Sequence, residues 1–246
     1  MIIGIDVGGS GIKGALVDLD AGVFASERIR IPTPEVSSPE NCAKVIARIV
    51  KRLAPKPSDD LRIGITVPAP VVRGVVPMIA NLDQSWKDLP ADTFFAEKLG
   101  QPVTLINDAD AAGLAEVYYG AAKGVPGLIM VMTLGTGIGS AVINSGVLLP
   151  NTEFGHIEVN GLDGESQTSA VVRERLNLSY DEWAERLDIY FHAVERLMWP
   201  DLFVIGGGIS KNHERFLPLL HLRTPIIPAA LRNRAGIVGA GWAAAQ

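Results

Sequence analysis

Short apolar runs alternate with polar and glycine-rich stretches along the chain. The runs Ile2–Ile5, Leu61–Val67 and Val103–Ile106 predict buried strands, because each is short and bounded by polar or breaking residues. Helical spacing of apolar residues predicts helices after Ser38-Pro39 and over Tyr180–Met198, the second with a capping box formed by Ser179 and Glu182. Further predicted elements are the strands Val23–Ile31 and Leu202–Ile205 and the helices Asp92–Leu99 and Ile237–Ala245. The pattern predicts ordered elements with no long linker.

Two of the apolar strands run into glycine-rich turns that another strand follows. Asp6 closes the first strand, and Gly8, Gly9 and Gly11 precede Ile12–Val17; Leu128–Leu134 similarly enters Gly135–Ser140. Glycines let backbone N–H groups approach an anion closely, and Lys13 could add a positive charge. A plain β-hairpin explains either turn alone, and neither has the spacing of a Walker loop. The pair together indicates two phosphate loops in a duplicated architecture.

The stretch Val103–Glu116 joins a buried strand directly to an alanine-rich helix. Asn107, Asp108 and Asp110 lie at this junction. A carboxylate at a helix start can cap the backbone N–H groups, and it can equally act as a general base at the carboxyl end of a strand. The stretch alone leaves both interpretations open.

Two other segments are weak candidates when taken alone. Glu153 and His156 lie in a loop, where such side chains are usually solvated. Gly206-Gly207-Gly208 follows a buried strand and could pack against a nucleotide or form a tight turn. These three glycines lack the G-x-G-x-x-G spacing of a dinucleotide site.

Composition narrows the classes of protein. A net charge of −5 disfavours a general nucleic-acid or membrane-surface binder, and no apolar run reaches the roughly 18 residues of a membrane span. Asp6 interrupts the first apolar stretch, which argues against a signal peptide. Cys42 is the single cysteine, so no internal disulfide or multi-cysteine zinc site can form, and its helical position predicts a core thiol. We expect a cytoplasmic protein.

Four motifs in order resemble the ROK family of bacterial sugar kinases, which is related to actin and hexokinase. Asp6–Lys13 and Leu134–Ser140 resemble its two phosphate motifs, and Asn107-Asp108-Ala109 resembles its catalytic-aspartate segment. Glu153-x-Gly155-His156 resembles its sugar-binding signature. The cysteine-rich zinc motif of many members is missing. The chain is most similar to the short zinc-free members, which include polyphosphate glucokinases and polyphosphate/ATP glucomannokinases.

The resemblance implies a two-domain actin/hexokinase-like (ribonuclease H-like) α/β fold, with a central mixed sheet in each domain and a sugar cleft. We expect a small domain over residues 1–107 and a larger one over 108–246, with the last helix a candidate to return to the first domain. The resemblance also implies a homodimer.

The implied reaction is phosphorylation of the 6-hydroxyl of glucose, or of mannose, with polyphosphate or ATP as donor and Mg²⁺ accompanying the donor. Asp108 is the implied base. No structural zinc, nucleic acid or membrane partner is expected. The implied hexose-binding residues are Asn81, Asn107, Asp108, Glu153, His156 and Glu165; the implied donor-binding residues are Asp6, Gly8, Gly9, Ser10, Lys13, Thr136, Gly137 and Gly207.

Two alternatives come from the same family. One is a strictly ATP-dependent kinase of glucose or another hexose. The other is a sugar-responsive repressor, which would carry a DNA-binding domain before the first phosphate motif, where this sequence has only five residues before Asp6. From Asp201 onward the chain has five basic and two acidic residues, so a basic path for a polyanion is a further expectation. Its basic members are Lys211, Arg215, Arg223, Arg232 and Arg234.

Overall fold

The computed structural model describes residues 1–246 and contains two compact units. Unit 1 comprises Met1–Ala115 with Arg234–Gln246, and unit 2 comprises Glu116–Asn233. The strands are Ile2–Gly8 (β1), Gly11–Asp18 (β2), Val23–Phe24 (β3), Ile29–Ile31 (β4), Arg62–Val67 (β5), Val75–Val76 (β6), Leu89–Pro90 (β7), Val103–Asn107 (β8), Leu128–Leu134 (β9), Ile138–Asn144 (β10), Val147–Leu149 (β11), Glu158–Val159 (β12), Leu162–Asp163 (β13), Leu202–Gly206 (β14) and Ile226–Pro228 (β15). The α-helices are Pro39–Leu53 (α1), Ala91–Leu99 (α2), Asp108–Tyr119 (α3), Gly164–Thr168 (α4), Ala170–Arg175 (α5), Tyr180–Met198 (α6) and Ala235–Ala244 (α7).

The sheet of unit 1 is mixed, in the order β3-β2-β1-β5-β8, with β4 also paired to β2. β1 and β2 form an antiparallel hairpin, whereas β1, β5 and β8 run parallel. The register places Asp6 beside Thr66 and Val67 beside Asn107. The carboxyl ends of three parallel strands therefore share one edge, where open α/β sheets place their ligands.

Helix α7 packs on the sheet of unit 1 at very close range. A Cβ atom on Gly4 or Gly64 would lie 1.9 Å or 1.8 Å from the carbonyl oxygens of Ile237 and Ala240. No side chain fits in this space, so glycine at both strand positions lets the helix backbone lie against the sheet. The last helix thus belongs to unit 1 although its sequence follows unit 2.

Helix α1 contributes its apolar face to the hydrophobic core of unit 1, and it begins where the sequence predicts. The Ser38 side chain accepts the Asn41 N–H, and Pro39 occupies the first turn. Cys42 is fully buried on the apolar face of this helix, which confirms the predicted core thiol. Burial, with a smaller effect of Asp83, raises the pKa of this thiol to about 11, so it stays protonated and unreactive at neutral pH.

Unit 2 contains a second mixed sheet, in the order β11-β10-β9-β14-β15. β9 and β10 are antiparallel, and β14 runs parallel to β9 and β15. Helix α6 covers this sheet with buried Trp183, Tyr190 and Phe191. The predicted capping box is confirmed, because Ser179 and Glu182 exchange both hydrogen bonds. A mixed sheet in each unit confirms the expected α/β class.

Two local features differ from the sequence expectations. Val23–Ile31 is not one strand, because Ser26 interrupts it and its Oγ accepts the Leu16 N–H, leaving the short β3 and β4. The expected domain boundary followed Asn107, whereas the compact units divide inside α3, after Ala115. No helix combines the length and apolar character that crossing a membrane requires.

Candidate active site

The first glycine-rich turn of unit 1 is the tip of the β1–β2 hairpin. Gly8 pairs with Gly11 across the hairpin, and Gly9 and Ser10 form an exposed connection. Arg30 from β4 donates through Nη2 to the Ser10 carbonyl at 3.0 Å, and its guanidinium fills the space where a Gly11 side chain would lie. The turn therefore combines exposed backbone with a cation that the sequence analysis did not single out.

Behind this turn, Asp6 and Lys13 face each other on paired strands. Lys13 Nζ lies 2.9 Å from Asp6 Oδ2, and Thr66 Oγ1 donates to Asp6 Oδ1 at 3.2 Å. The side chain of Lys13 is 28% exposed and that of Asp6 is 23% exposed, which leaves both within reach of a ligand. Asp6 is thus held in place by two donors from neighbouring strands.

The junction between β8 and α3 assigns different roles to its polar residues. Asn107 caps the helix, because its Oδ1 accepts the N–H groups of Ala109 and Asp110 at 2.9 and 3.0 Å. Its Nδ2 donates to the Ala69 carbonyl at 3.1 Å, so this amide is largely committed to the backbone. Asp108 opens the helix and is exposed, whereas Asp110 is only 1% exposed. Asp108 alone of the two carboxylates can reach a substrate.

Asn81 lies in an exposed loop beside the first glycine turn. Its carbonyl oxygen lies 3.6 Å from the position that a Cβ on Gly9 would take. The loop is anchored to the start of α1, where Asp83 N donates to Ser37 Oγ and Trp86 Nε1 donates to the Ser37 carbonyl. The structure thus brings Asn81 to the edge of unit 1 that carries the glycine turn.

In unit 2, two glycine segments lie side by side at the ends of β9 and β14. Gly135 N donates to the Gly137 carbonyl at 2.9 Å, which closes a tight turn with Thr136 exposed at its tip. Gly207 has a φ of 84°, and a Cβ there would lie 2.2 Å from the Leu134 carbonyl. The close approach of these segments requires glycine at 207 and places both at one edge of the sheet.

Glu165 holds this glycine turn in place. Its Oε2 accepts the Ile138 N–H at 2.8 Å and lies 2.3 Å from where a Cβ on Gly137 would be. A carboxylate in this position supports the turn from the adjoining helix α4. The sequence resemblance assigned Glu165 to the hexose, and the structure adds a role in shaping the second glycine turn.

In the segment Glu153–His156, Glu153 precedes a short 3-10 helix, Phe154–His156, which is fixed to the sheet of unit 2. Ser140 Oγ accepts the Phe154 N–H at 3.0 Å, and the Tyr190 hydroxyl donates to the Phe154 carbonyl at 2.9 Å. These two bonds anchor the middle of the segment, so that Glu153 and His156 are presented on an exposed surface.

The ionisable groups of this segment influence one another. His156 Nδ1 lies 3.0 Å from Asp163 Oδ2, and this hydrogen bond raises the His156 pKa. Burial tends to raise the Asp163 pKa, but hydrogen bonds from His156 and Ser166 outweigh it and lower that pKa. Desolvation raises the pKa of Glu153, against the opposing effect of His156. The raised pKa of His156 and the lowered pKa of Asp163 therefore favour a positively charged His156 beside a negatively charged Asp163.

Two places offer the chemistry of a metal ligand. His156, Asp163 and Glu165 have ligand atoms within 4.8 Å of one another, but both carboxylates already accept hydrogen bonds from backbone N–H groups. In unit 1, Asp6 offers carboxylate oxygens, the ligand type that Mg²⁺ prefers beside substrate phosphates. Each Asp6 oxygen accepts one hydrogen bond, from Lys13 or Thr66, and a carboxylate oxygen has a second lone pair with which it could ligate a donor-bound Mg²⁺.

Three side chains of these sites were missed by the sequence analysis: Arg30, Thr66 and Asp163. Thr66 and Arg30 act through strand pairing, which the linear sequence does not reveal. Asp163 carried a detectable signal, because it precedes α4 and its Oδ1 caps that helix at Ser166 N. The capping pattern indicates a helix start but not the bond to His156.

Comparison with known proteins identifies relatives along nearly the whole chain. The model of the ROK family matches residues 2–175. The polyphosphate glucokinase of Mycobacterium tuberculosis is 51% identical, over 98% of this chain and 89% of that protein. The crystal structure of the inorganic polyphosphate/ATP-glucomannokinase of Arthrobacter sp. strain KM is also 51% identical, with a TM-score of 0.93 over 99% of this chain and 98% of that one.

A more distant solved structure establishes the fold alone. It is a ROK family glucokinase from Streptomyces griseus in complex with glucose and AMPPNP, at 23% identity and a TM-score of 0.82 over 100% of this chain and 99% of that one. These likenesses confirm the actin/hexokinase-like fold class expected from the sequence.

Proposed function

This chain belongs to the ROK family, and from that premise we propose that it phosphorylates the 6-hydroxyl of glucose with inorganic polyphosphate, ATP or both as donor. The named activities of the two relatives at 51% identity support this reaction, and the name of the Arthrobacter enzyme extends the candidate acceptors to mannose. The phosphoryl group moves from the donor to the sugar oxygen. The bond from phosphorus to the remaining donor breaks, and the hydroxyl proton needs an acceptor.

The observation that carries the proposal is that Asn107 and Asp108 have different roles at the start of α3. Asn107 Oδ1 accepts the N–H groups of both Ala109 and Asp110, whereas the exposed Asp108 carboxylate shares only the Ala109 N–H, which donates to Oδ1 at 2.8 Å. We assign Asp108 as the base that accepts the hydroxyl proton while the sugar oxygen attacks phosphorus. A positioned base of this kind contributes about 10²–10⁴-fold to the rate.

The donor side of the reaction requires neutralisation of phosphate charge. Lys13 supplies a cation at the first glycine turn, where Gly9 and Ser10 form an exposed connection after Gly8. Thr136, Gly137 and Gly207 form the corresponding glycine edge of unit 2. Asp6 would hold Mg²⁺ together with the donor phosphates, and the ion when bound neutralises charge on the phosphoryl oxygens.

The remaining hydroxyls of the hexose need hydrogen-bond partners. Glu153 and His156 are exposed on one short segment and can bind a diol through a carboxylate and an imidazole. Asn81 is a further partner from unit 1. We give Asn107 and Glu165 mainly supporting roles, because their polar atoms already bind backbone groups.

The test is a donor-by-acceptor assay of the full chain. Glucose and mannose are each incubated with polyphosphate and with ATP, and the hexose 6-phosphate is measured with Mg²⁺ present. We expect glucose 6-phosphate from polyphosphate. Product from ATP alone would favour the strictly ATP-dependent alternative, and no product from either donor would refute the proposed reaction. Light scattering in the same buffer tests the homodimer that the resemblance implies.

A further inference from the structure

Two arginines of unit 2 stack on one tyrosine ring. The guanidinium carbons of Arg173 and Arg215 lie 4.1 and 4.0 Å from the centre of the Tyr180 ring. The two guanidinium carbons therefore cannot be farther apart than the sum of these two distances, 8.1 Å. Tyr180 is only 6% exposed, and its hydroxyl accepts a hydrogen bond from Asn212 Nδ2 at 3.0 Å. The ring is a fixed platform that holds two like charges close together.

The two cations have no anionic partner in the protein. Neither arginine takes part in an ion pair or a side-chain hydrogen bond, although each guanidinium has five N–H donors. Arg173 Nε is shielded from solvent and has no acceptor. A shielded donor without an acceptor costs free energy, as does repulsion between neighbouring cations. An anion bound across both guanidinium groups would offset the repulsion between the two cations.

Each arginine is tied to one of the two glycine segments of this unit. Helix α5, which carries Arg173, is joined to the second glycine turn where Val171 N donates to the Gly135 carbonyl at 3.2 Å. Arg215 ends the 3-10 segment that begins at Gly208, directly after Gly207. Ser210 fixes the start of that segment by donating from N and Oγ to the Gly207 carbonyl at 3.2 and 2.8 Å. Chain segments from the glycine edge thus converge on the pair.

The geometry points to Arg173 and Arg215 as a polyphosphate-binding site, which takes phosphate units of the donor beyond those held at the glycine turns. This inference rests on the proposed function, because it names the place where the polyphosphate chain continues. A planar guanidinium binds a phosphate through two parallel N–H bonds, and the contact with Tyr180 restricts where each guanidinium lies. A linear polyanion can engage both forks at once through neighbouring phosphate units.

This site differs from the basic path that the sequence analysis expected. Arg215 remains in it, and Arg173 joins it from a region outside the basic C-terminal segment. Arg223 is set apart, because it stacks on Trp199 at 4.7 Å and donates to the Pro200 carbonyl. Proximity across the fold, not the local density of basic residues, defines the site.

The experiment compares Arg173→Gln, Arg215→Gln and the double variant with the full wild-type chain. Initial rates are measured at saturating glucose with long-chain polyphosphate, with tripolyphosphate and with ATP. Each single substitution should raise the KM for long-chain polyphosphate about tenfold, the loss expected for a charged hydrogen bond. The KM for tripolyphosphate, ATP and glucose should change less than about twofold, a difference small beside the tenfold step expected for one such bond.

Arg175→Gln is the matched control. It lies on the same helix, is exposed, and changes the net charge by the same amount, but it points about 200° away around the helix from Arg173. The double variant Arg173→Lys with Arg215→Lys keeps both charges and most of the contact with Tyr180. It should fold like the wild type in thermal melting and still show a raised KM for long-chain polyphosphate, because an ammonium lacks the planar fork.

Binding of long-chain polyphosphate without glucose, measured by calorimetry, separates the two hypotheses. Loss of binding in the glutamine variants but not in Arg175→Gln supports the site, even if polyphosphate proves not to be a phosphoryl donor. Glutamine variants that match the control in both binding and KM would overturn the site and leave the proposed reaction standing. An equal rise in KM for all three donors would also overturn it, because that result would place the arginines at the reacting phosphates.

Discussion

His156 Nδ1 and Asp163 Oδ2 lie 3.0 Å apart and link the Glu-x-Gly-His segment to the start of helix α4. The bond occupies Nδ1, so Nε2 is the imidazole nitrogen left to meet a hydroxyl. The orientation of His156 thus comes from side chains of the protein itself.

Asp163→Asn should lower the pKa of His156, because the raised value depends first on the hydrogen bond from Asp163. A histidine whose folded pKa is raised adds stability below its unfolded pKa, and that stability is lost as the pH rises through the folded value. The Asp163 side of the pair adds stability above its own unfolded pKa, which is lost as the pH falls. NMR titration of the four histidines measures the shift, with the other three as internal references. A His156 pKa unchanged in the variant would contradict the assigned cause.

Asp108→Asn should reduce kcat by about 10²–10⁴-fold while leaving glucose affinity largely unchanged, because the amide keeps the shape but cannot accept the proton. Kinetics with the preferred donor, together with calorimetric binding of glucose, measure both quantities. Asp60→Asn, an exposed carboxylate of the same unit, is the control for charge. A general base is expected to raise the rate by at least about 10²-fold. A variant that keeps more than about a tenth of the wild-type kcat would therefore contradict the assignment of Asp108 as the base.

Glu153→Ala and His156→Ala should each weaken glucose binding by roughly 1–3 kcal/mol, because each substitution leaves a sugar hydroxyl without its partner. Calorimetric titration with glucose gives the difference directly. Glu158→Ala provides an exposed acidic control a few residues away. Wild-type affinity in both variants would mean that this segment does not bind the sugar.

Gly64→Ala should destabilise unit 1 by about 3 kcal/mol or more, because the new methyl group would have to displace the backbone of helix α7. Chemical denaturation measures the change. Gly208→Ala is the matched control, since a Cβ at Gly208 meets no atom within 4 Å and its φ is not in the left-handed region. Equal stability of the two variants would rule out close packing of α7 as the reason for glycine at position 64.

A zinc-selective chelator should change neither the melting temperature nor the rate measured with Mg²⁺. The physical reason is that both carboxylates of the His156–Asp163–Glu165 cluster are already engaged by hydrogen bonds. Metal analysis of the purified chain before treatment provides the reference. A lower melting temperature that added zinc restores would show that the cluster is a metal site.

The sequence by itself determined the features that depend on neighbouring residues. The capping box at Ser179, the cap at Ser38 and the buried face around Cys42 are local, because a helix repeats within a few residues. The order of the four motifs was also enough to indicate the family, since it requires no knowledge of which residues touch.

Tertiary structure alone decided which polar atoms meet. Thr66 reaches Asp6 across 60 positions, Asn107 reaches Ala69 across 38, and Glu165 reaches Ile138 across 27. Strand register and helix packing create these contacts, and a single sequence contains no local signal for them. The same reason explains why Arg173 joined Arg215 on Tyr180 from outside the basic C-terminal segment.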